Sequence, residues 1–497
     1  MNIYQLFPRL FGNKKHDVKF NGEKTENGCG TFADIDDIAL HAIHSLGFTH
    51  IWLTGILRHA TQGENHPDIT KGKAGSPYAV TDYYAVDPDL GTLYDLNQLI
   101  GRIHGHGMKV IMDFIPNHVA RECKGFEDCN FYICEGQAFV PPTGNGYKEF
   151  PARASGNDIF APNPSINDWY DTVKLNYNNH DTWEKMFSIL KYWSGMNIDG
   201  FRVDMAEMVP VKFWEWVIPK IKESLSFPIF IAEIYQPSLY KPFIDAGFDY
   251  LYDKVGLYNT LENIIRFGQR AESISQVWKD LNGLDSHMLR FMENHDEIRL
   301  ASSHFVGDPF AALPSVAISA LMNTGPFMVY NGQENGEDAL HKQGYSGDDG
   351  RTSIFDYTTM PKHQLWMNEG RFDHGKSNDR QQRLFSFYSS LLNLRKSHPA
   401  IKDGAFYDLM WCNPWYNHFD PQYAYAFLRY HGNERLLIVV NFNQAESRDL
   451  QIAIPDDALH LMKLKEGELK ENPIHLHLNP CDVNVIDLQT FNNLISI

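Results

Sequence analysis

GFRVDMAEMVPVKFWEWVIPKIKESLSFPIFIAE (residues 200–233) reads as one strand–helix–strand unit, and the recurrence of such units decides the fold. GFRVD (200–204) and PIFIAE (228–233) are short apolar runs that end in acids, and the Trp-rich stretch near 212–224 between them has helical spacing. Upstream, NIYQLF (2–7), THIWLTG (49–55) and KVIMDF (109–114) read as strands; downstream, FDYLYD (248–253), HMLRFME (287–293) and PFMVYNG (326–332) do so too. Helical faces separate them. One is Ile35, Ile38, Ala39, Ala42, Ile43 and Leu46, opened by an acidic first turn of Asp34, Asp36 and Asp37. Others are Leu93, Leu96, Ile100 and Ile103, and Trp183, Met186, Phe187, Leu190 and Trp193. These are eight strands alternating with helices, which imply right-handed parallel crossovers and predict an α/β fold closed as a (β/α)8 TIM barrel. An open doubly wound sheet would want a Gly-rich phosphate loop after an early strand, and there is none.

Residues 119–176 break the alternation with Gly, Pro and Asn, show no convincing helix, and read as an insertion after strand 3. Beyond a helix around 381–397 the pattern changes again. QYAYAFLRY (422–430), RLLIVVNF (435–442), LQIAIP (450–455) and HLHL (475–478) alternate with period two or form short buried runs, with no helix between them. A C-terminal antiparallel β-sandwich is expected. The predicted organisation is a catalytic barrel over 1–118 and 177–398, a loop-rich inserted domain over 119–176, and the sandwich over 399–497.

With 497 residues, 43% hydrophobic and 21% charged, the chain is an ordinary globular protein large enough for two or three domains. Its 44 basic and 62 acidic side chains give a net charge of −18, which argues against a nucleic-acid partner. No apolar run approaches the roughly 20 residues of a membrane span, so no membrane partner is expected. Aromatic residues make up 13%, including 24 Tyr and 10 Trp, as suits either a sugar-binding cleft or simply a bulky core. Cys29, Cys123, Cys129, Cys134, Cys412 and Cys481 match no zinc spacing and are expected to be free thiols. The opening MNIYQLFPRL reads as a strand and not as an export signal, so a cytoplasmic protein is the simplest expectation, with a leader-trimmed periplasmic or secreted form left open.

In such a barrel the chemistry sits at the C-terminal ends of the strands. Strand three ends in Asp113, followed by Asn117 and His118; strand four ends Arg202-Val-Asp204; strand five ends in Glu233; strand seven runs into Glu293-Asn-His295-Asp296. Arg202 and Asp204 lie two apart and share a face, so the guanidinium should favour the ionised Asp204. A single acid at a strand end is usually a cap or a loop salt bridge. Asp204, Glu233 and Asp296 together on one mouth, with Arg202, His118 and His295, point to catalysis by paired carboxyls. Like charges raise the proton affinity of one member, as a general acid requires. Retaining glycosidases divide the labour in this way, with carboxyls about 5–5.5 Å apart.

The segments DFIPNH (113–118), GFRVD (200–204), IAE (231–233) and ENHDE (293–297) resemble, in order and placement, those of the α-amylase family, glycoside hydrolase family 13. SPYAVTDYYAVDPDLGT (76–92), VKLNY (173–177) and YNGQENG (330–336) extend the resemblance. It implies a barrel with an insertion after strand 3 and a C-terminal sandwich, acting on α-glucans or oligosaccharides. It further implies Asp204 as nucleophile, Glu233 as general acid/base, and Asp296 as the residue that holds the distorted sugar. Arg202 would position Asp204, His118 and His295 would hydrogen-bond the sugar, and Tyr78 would stack on its face. Asp113 and Asn117 would be structural, Asn117 ordering the insertion.

Two departures bear on cofactors and acceptors. Many family members carry Lys-His shortly after the nucleophile, which shapes the acceptor side and supplies a calcium-binding carbonyl; here the residues are Met205, Ala206, Glu207 and Met208. No DxNxDG loop occurs in 8–31. No cofactor is implied, and these departures count against calcium. PVKFWEW (210–216) resembles the family's maltosyltransferase members, so the expectation is a retaining hydrolase of α-glucosidic bonds, most simply α-1,4, or a transglycosylase of the same chemistry. An inactive carbohydrate-binding scaffold is disfavoured by the presence of all three acids. A phosphosugar isomerase lacks its phosphate loop.

Overall fold

The computed structural model describes residues 1–63, 66–134, 140–141, 145–153, 168–224, 228–339, 347–415, 418–464 and 468–495. Parts of the predicted insertion therefore lie outside the described residues. Eight parallel strands close a barrel in which each pairs with its sequence neighbour and the last with the first. They are β1 (Asn2–Leu6), β2 (His50–Leu53), β3 (Lys109–Phe114), β4 (Gly200–Val203), β5 (Ile229–Ala232), β6 (Tyr250–Tyr252), β7 (Met288–Phe291) and β8 (Phe327–Tyr330). All eight coincide with the runs read from the sequence. Strands buried on both faces need near-continuous apolar runs, and these have them. Away from the strands' first residues, the polar exceptions Gln5, Asp113, Arg202 and Arg290 are each buried.

The connecting helices form where local chemistry allows. The helix Leu93–Gly105 starts at Thr92, whose hydroxyl accepts the Asp95 N–H while the Asp95 carboxylate takes the Thr92 N–H. The helix Asp37–Leu46 begins later than its acidic run suggests. Asp36 caps it by accepting the Ala39 N–H at 2.9 Å, and Asp34 belongs to a preceding 3-10 turn. The spacing had placed Ile38 on the core face, but the buried residues of this helix are Ala39, Leu40, Ile43 and Leu46, and Ile38 is 53% exposed.

Between β3 and β4, His118–Ala120 pairs antiparallel with Thr172–Lys174, and Ala152–Arg153 with Asp168–Trp169. Towards the C-terminus lie β9 (Ala405–Asp408), β10 (Ala424–His431), β11 (Glu434–Asn441), β12 (Arg448–Ile452), β13 (Ile474–Leu478) and β14 (Val483–Asp487). A four-stranded sheet has the order β9-β10-β11-β14, and β12 pairs with β13 separately. β9 and β14 were not anticipated, although VNVID in β14 does alternate. A helix, Asp456–Leu461, stands between β12 and β13 where none was expected. Its two N-terminal aspartates favour that end of a helix, a signal shorter than the windows that reveal longer helices. Arg429 on β10 donates from Nη1 to the Met322 carbonyl at 2.7 Å, which ties this sheet to the barrel. No helix among the described residues is long and apolar enough to cross a membrane.

Candidate active site

Arg202 organises the C-terminal mouth of the barrel. Backbone pairing sets it opposite Asp113 on β3 and Ile231 on β5. Its Nη1 donates to Asp204 Oδ1 at 2.8 Å and to Asp113 Oδ1 at 3.3 Å, Nη2 lies 2.9 Å from Glu233 Oε2, and Nε donates to the Tyr252 hydroxyl at 3.1 Å. The rings of Trp52, Tyr252 and Tyr78 surround the guanidinium at 5.3, 5.5 and 5.6 Å. The arginine is wholly buried.

The expectation that Arg202 singles out Asp204 for ionisation is corrected by this geometry. One cation is shared among three buried carboxyls, so it cannot keep all of them charged. Burial and the neighbouring Glu233 charge push Asp204 well above the ordinary carboxylate range, although Arg202 pulls the other way. Burial likewise lifts Asp113 to about 7. Asp113 and Asp204 thus hold their protons to higher pH than ordinary carboxyls.

The two carboxyls proposed below as catalytic differ in their partners. Glu233 Oε2 accepts from the Met205 N–H at 2.7 Å, and Oε1 accepts from the Tyr235 hydroxyl at 2.7 Å. Asp204 Oδ2 takes no hydrogen bond among the described residues, and His118 Nε2 faces it at 3.9 Å.

Both histidines are held neutral with a defined tautomer. Lys174 Nζ donates to Asn117 Oδ1, which turns the Asn117 amide nitrogen toward His118 Nδ1 at 3.1 Å and leaves the His118 proton on Nε2. Burial and the Lys174 charge lower His118 to about 3. His295 Nδ1 receives the Gln5 amide at 2.8 Å, so its Nε2–H points to the Tyr78 hydroxyl at 2.6 Å and to Asp296 Oδ2 at 3.1 Å. Burial lowers His295 to about 4. Tyr78 stacks on the His295 ring at 5.1 Å. Asp296 is the most open of the three acids, its side chain 33% exposed, and its charge is felt at Asp204, Tyr78 and Tyr235. All seven predicted site residues, Tyr78, His118, Arg202, Asp204, Glu233, His295 and Asp296, therefore meet in one mouth.

Calcium does not fit the position that the resemblance offers it. The carbonyl of Met208, in the segment where relatives supply a calcium-binding carbonyl, accepts from Lys174 Nζ at 3.1 Å, and the same amine holds Asn117 Oδ1. A metal cation there would face a lysine amine in place of an anionic ligand. Among the described residues no group of His, Cys, Asp and Glu is arranged to hold a metal. Excess EDTA is therefore expected to leave the thermal midpoint and turnover unchanged; a drop reversed by added calcium would show otherwise. None of the six cysteines is joined in a disulfide.

Sequence reasoning missed Gln5, Lys174 and Tyr235. A lone amide inside the buried run NIYQLF and a tyrosine two residues after Glu233 were visible signals. Nothing local marks Lys174, because its partners lie 57 and 34 residues away.

Comparison with known proteins bears on the reading. Residues 5–224 match the family model described as alpha amylase, catalytic domain. A cyclomaltodextrinase of Thermoanaerobacter pseudethanolicus is 23% identical over 500 aligned residues, covering 96% of this chain and 76% of the relative. An alpha-1,4-glucan:maltose-1-phosphate maltosyltransferase of Picrophilus torridus is 27% identical over 241 residues, covering 47% of this chain and 32% of the relative. The crystal structure of a noncanonic maltogenic alpha-amylase from Thermotoga neapolitana superposes with a TM-score of 0.66 at 23% identity, over 99% of this chain and 97% of that one.

Proposed function

We propose that this chain, whose residues 5–224 match the alpha-amylase catalytic-domain model, is a member of that family and a retaining glycoside hydrolase that cleaves α-1,4 glucosidic bonds of starch-like glucans or maltooligosaccharides. The observation that carries this is the pair of carboxyls at the ends of adjacent strands, Asp204 after β4 and Glu233 after β5, held on the two Nη atoms of one guanidinium. Asp296 stands across the same mouth.

The proposed reaction is a double displacement. Glu233 gives its proton to the glycosidic oxygen while the unbonded Oδ2 of Asp204 attacks the anomeric carbon. The leaving sugar departs with that proton, and a covalent glycosyl-enzyme remains. Glu233, now a carboxylate, takes a proton from water, whose oxygen displaces Asp204. Asp296 accepts hydrogen bonds from the sugar's hydroxyls and offsets the charge of the cationic transition state. His118 and His295, as neutral Nε2–H donors, bind the sugar, and Tyr78 stacks on its face. In this reading residues 1–118 and 177–398 form the catalytic barrel, 119–176 the inserted loop-rich domain, and 399–497 the C-terminal β-sheet domain.

A second reading, a transglycosylase, is favoured by the maltosyltransferase relative and by PVKFWEW (210–216). The two differ only in whether water or a glucan hydroxyl captures the glycosyl-enzyme. The product profile from maltotetraose tests this: shorter sugars alone are expected, and products longer than the substrate would overturn the simple hydrolase.

The rate–pH profile should be bell-shaped, with the nucleophile ionised on the acid limb and the acid/base protonated on the basic limb. Because Asp204 is raised, activity should climb through a pH above the ordinary carboxylate value of about 4. A flat profile from about pH 4 to 9 would contradict the assignment of two titrating carboxyls.

A further inference from the structure

We propose that Tyr235 is a positioning residue that holds the proton-carrying oxygen of Glu233, and that Glu207 holds Tyr235; this rests on the reading of Glu233 as the acid/base. Glu233 Oε2 is committed twice, to Arg202 Nη2 at 2.9 Å and to the Met205 N–H at 2.7 Å. Oε1 accepts from the Tyr235 hydroxyl at 2.7 Å and is the oxygen left to carry a transferable proton. Burial and the Glu233 charge push the Tyr235 phenol well above its ordinary value, so it remains a donor throughout the working pH range.

Tyr235 lies beyond the end of β5 and needs an anchor. Glu207 provides it, since its Oε2 accepts both the Tyr235 N–H at 2.9 Å and the Gln236 N–H at 3.0 Å. In the other direction, the Ala206 N–H donates to the Glu233 carbonyl at 3.1 Å. Met205 adopts a left-handed backbone at φ 45° and ψ 43°, which a side chain disfavours and which aims its N–H at Glu233. The segment after the nucleophile and the segment after the acid are thus laced together in both directions. Glu207 stands in the segment where the chain departs from the Lys-His of its relatives, and the departure has this structural use.

The chemical consequence concerns charge. When Glu233 gives up its proton, a carboxylate forms in a buried place, and the Tyr235 O–H donates to the charge as it develops. Without that donor the carboxylate is less stable, so Glu233 keeps its proton to higher pH and transfers it more slowly.

The test is Tyr235→Phe in the full chain, read on two substrates. Maltotetraose has a sugar leaving group that must be protonated, whereas maltosyl fluoride releases fluoride without a proton. Turnover of maltotetraose should fall about tenfold or more, part of the 10²–10⁴-fold that acid assistance supplies, and the basic limb should move to higher pH. Single-turnover fluoride release should change by less than about twofold, which also reports an intact fold. Glu207→Ala should show a weaker form of this signature, and the double variant should be no worse than Tyr235→Phe alone. Equal losses on both substrates, or an unmoved basic limb, would overturn the proposal. Glu233→Gln separates the two layers: if it keeps maltotetraose turnover, the reading of Glu233 itself fails, whatever Tyr235 does.

Discussion

Asp204→Asn is expected to abolish turnover while maltooligosaccharide binding persists. The expected fall in kcat is on the order of 10⁵-fold or more, the scale seen when a covalent nucleophile is removed from a site whose members act as a unit. Asparagine matches the shape of aspartate, so the Arg202 contact at Oδ1 survives, and only the attacking oxygen is lost. The electrostatics add a second outcome. Asp204 is held well above its unfolded value by burial and by Glu233, so its stabilising contribution is complete below about pH 4 and is lost as pH rises through the raised folded value. A neutral amide escapes that loss, and the variant should unfold at the same or a higher temperature than the parent at pH 8. Activity that survives the substitution would sink the mechanism, and a midpoint several degrees lower at pH 8 would sink the account of the buried charge.

Arg202→Met carries the largest expected effect on stability. Among the described residues this guanidinium is the cation bonded to Asp113, Asp204 and Glu233, all of them buried. Removing one partner of a buried ionic cluster costs about 3–5 kcal/mol, because the others stay buried without compensation. Asp113 stands at about 7 with the arginine present and would stand higher without it. The deficit should therefore be smaller at acid pH, where Asp113 and Asp204 hold their protons in the folded chain, and should grow as pH rises through 7. Thermal midpoints of parent and variant at about pH 4.5 and 8 read this directly. Equal deficits at both would mean that Arg202 is mainly a packing residue, wedged among Trp52, Tyr78 and Tyr252. Arg202→Lys should not restore activity, because one ammonium cannot hold two carboxylates on a planar fork.

The three histidine and tyrosine partners of the cleft show where reading a chain succeeds. His118 and His295 follow strand ends directly, so order along the chain places them at the mouth. Tyr78 enters through resemblance alone, since no periodicity marks a loop residue. The paired spacing of Arg202 and Asp204 correctly put them on one face, but the inference about charge did not follow. It treated a pair as isolated, whereas β3 and β5 each bring a further carboxyl to the same guanidinium. Ile38 makes the same point on a smaller scale: its spacing suggested the core face, but the face that packs is Ala39, Leu40, Ile43 and Leu46, and Ile38 meets solvent.

What the chain alone determined was the alternation of eight buried runs with helices, their parallel closure, and which acids stand at strand ends. Each of these depends on period and order, which are local properties of a polypeptide. What only the tertiary structure decided was how those end residues meet. Arg202 serves three carboxyls, Lys174 takes the place a cation would take and fixes the His118 tautomer through Asn117, and Tyr235 rests on Glu233 under the hold of Glu207. These are distances across a closed cylinder, between groups 28 to 89 residues apart, except for Arg202–Asp204 and Glu233–Tyr235, two residues apart, and the neighbours Asn117 and His118. Barrel closure sets the angular position of every strand end, and only then does it become settled which groups share a proton.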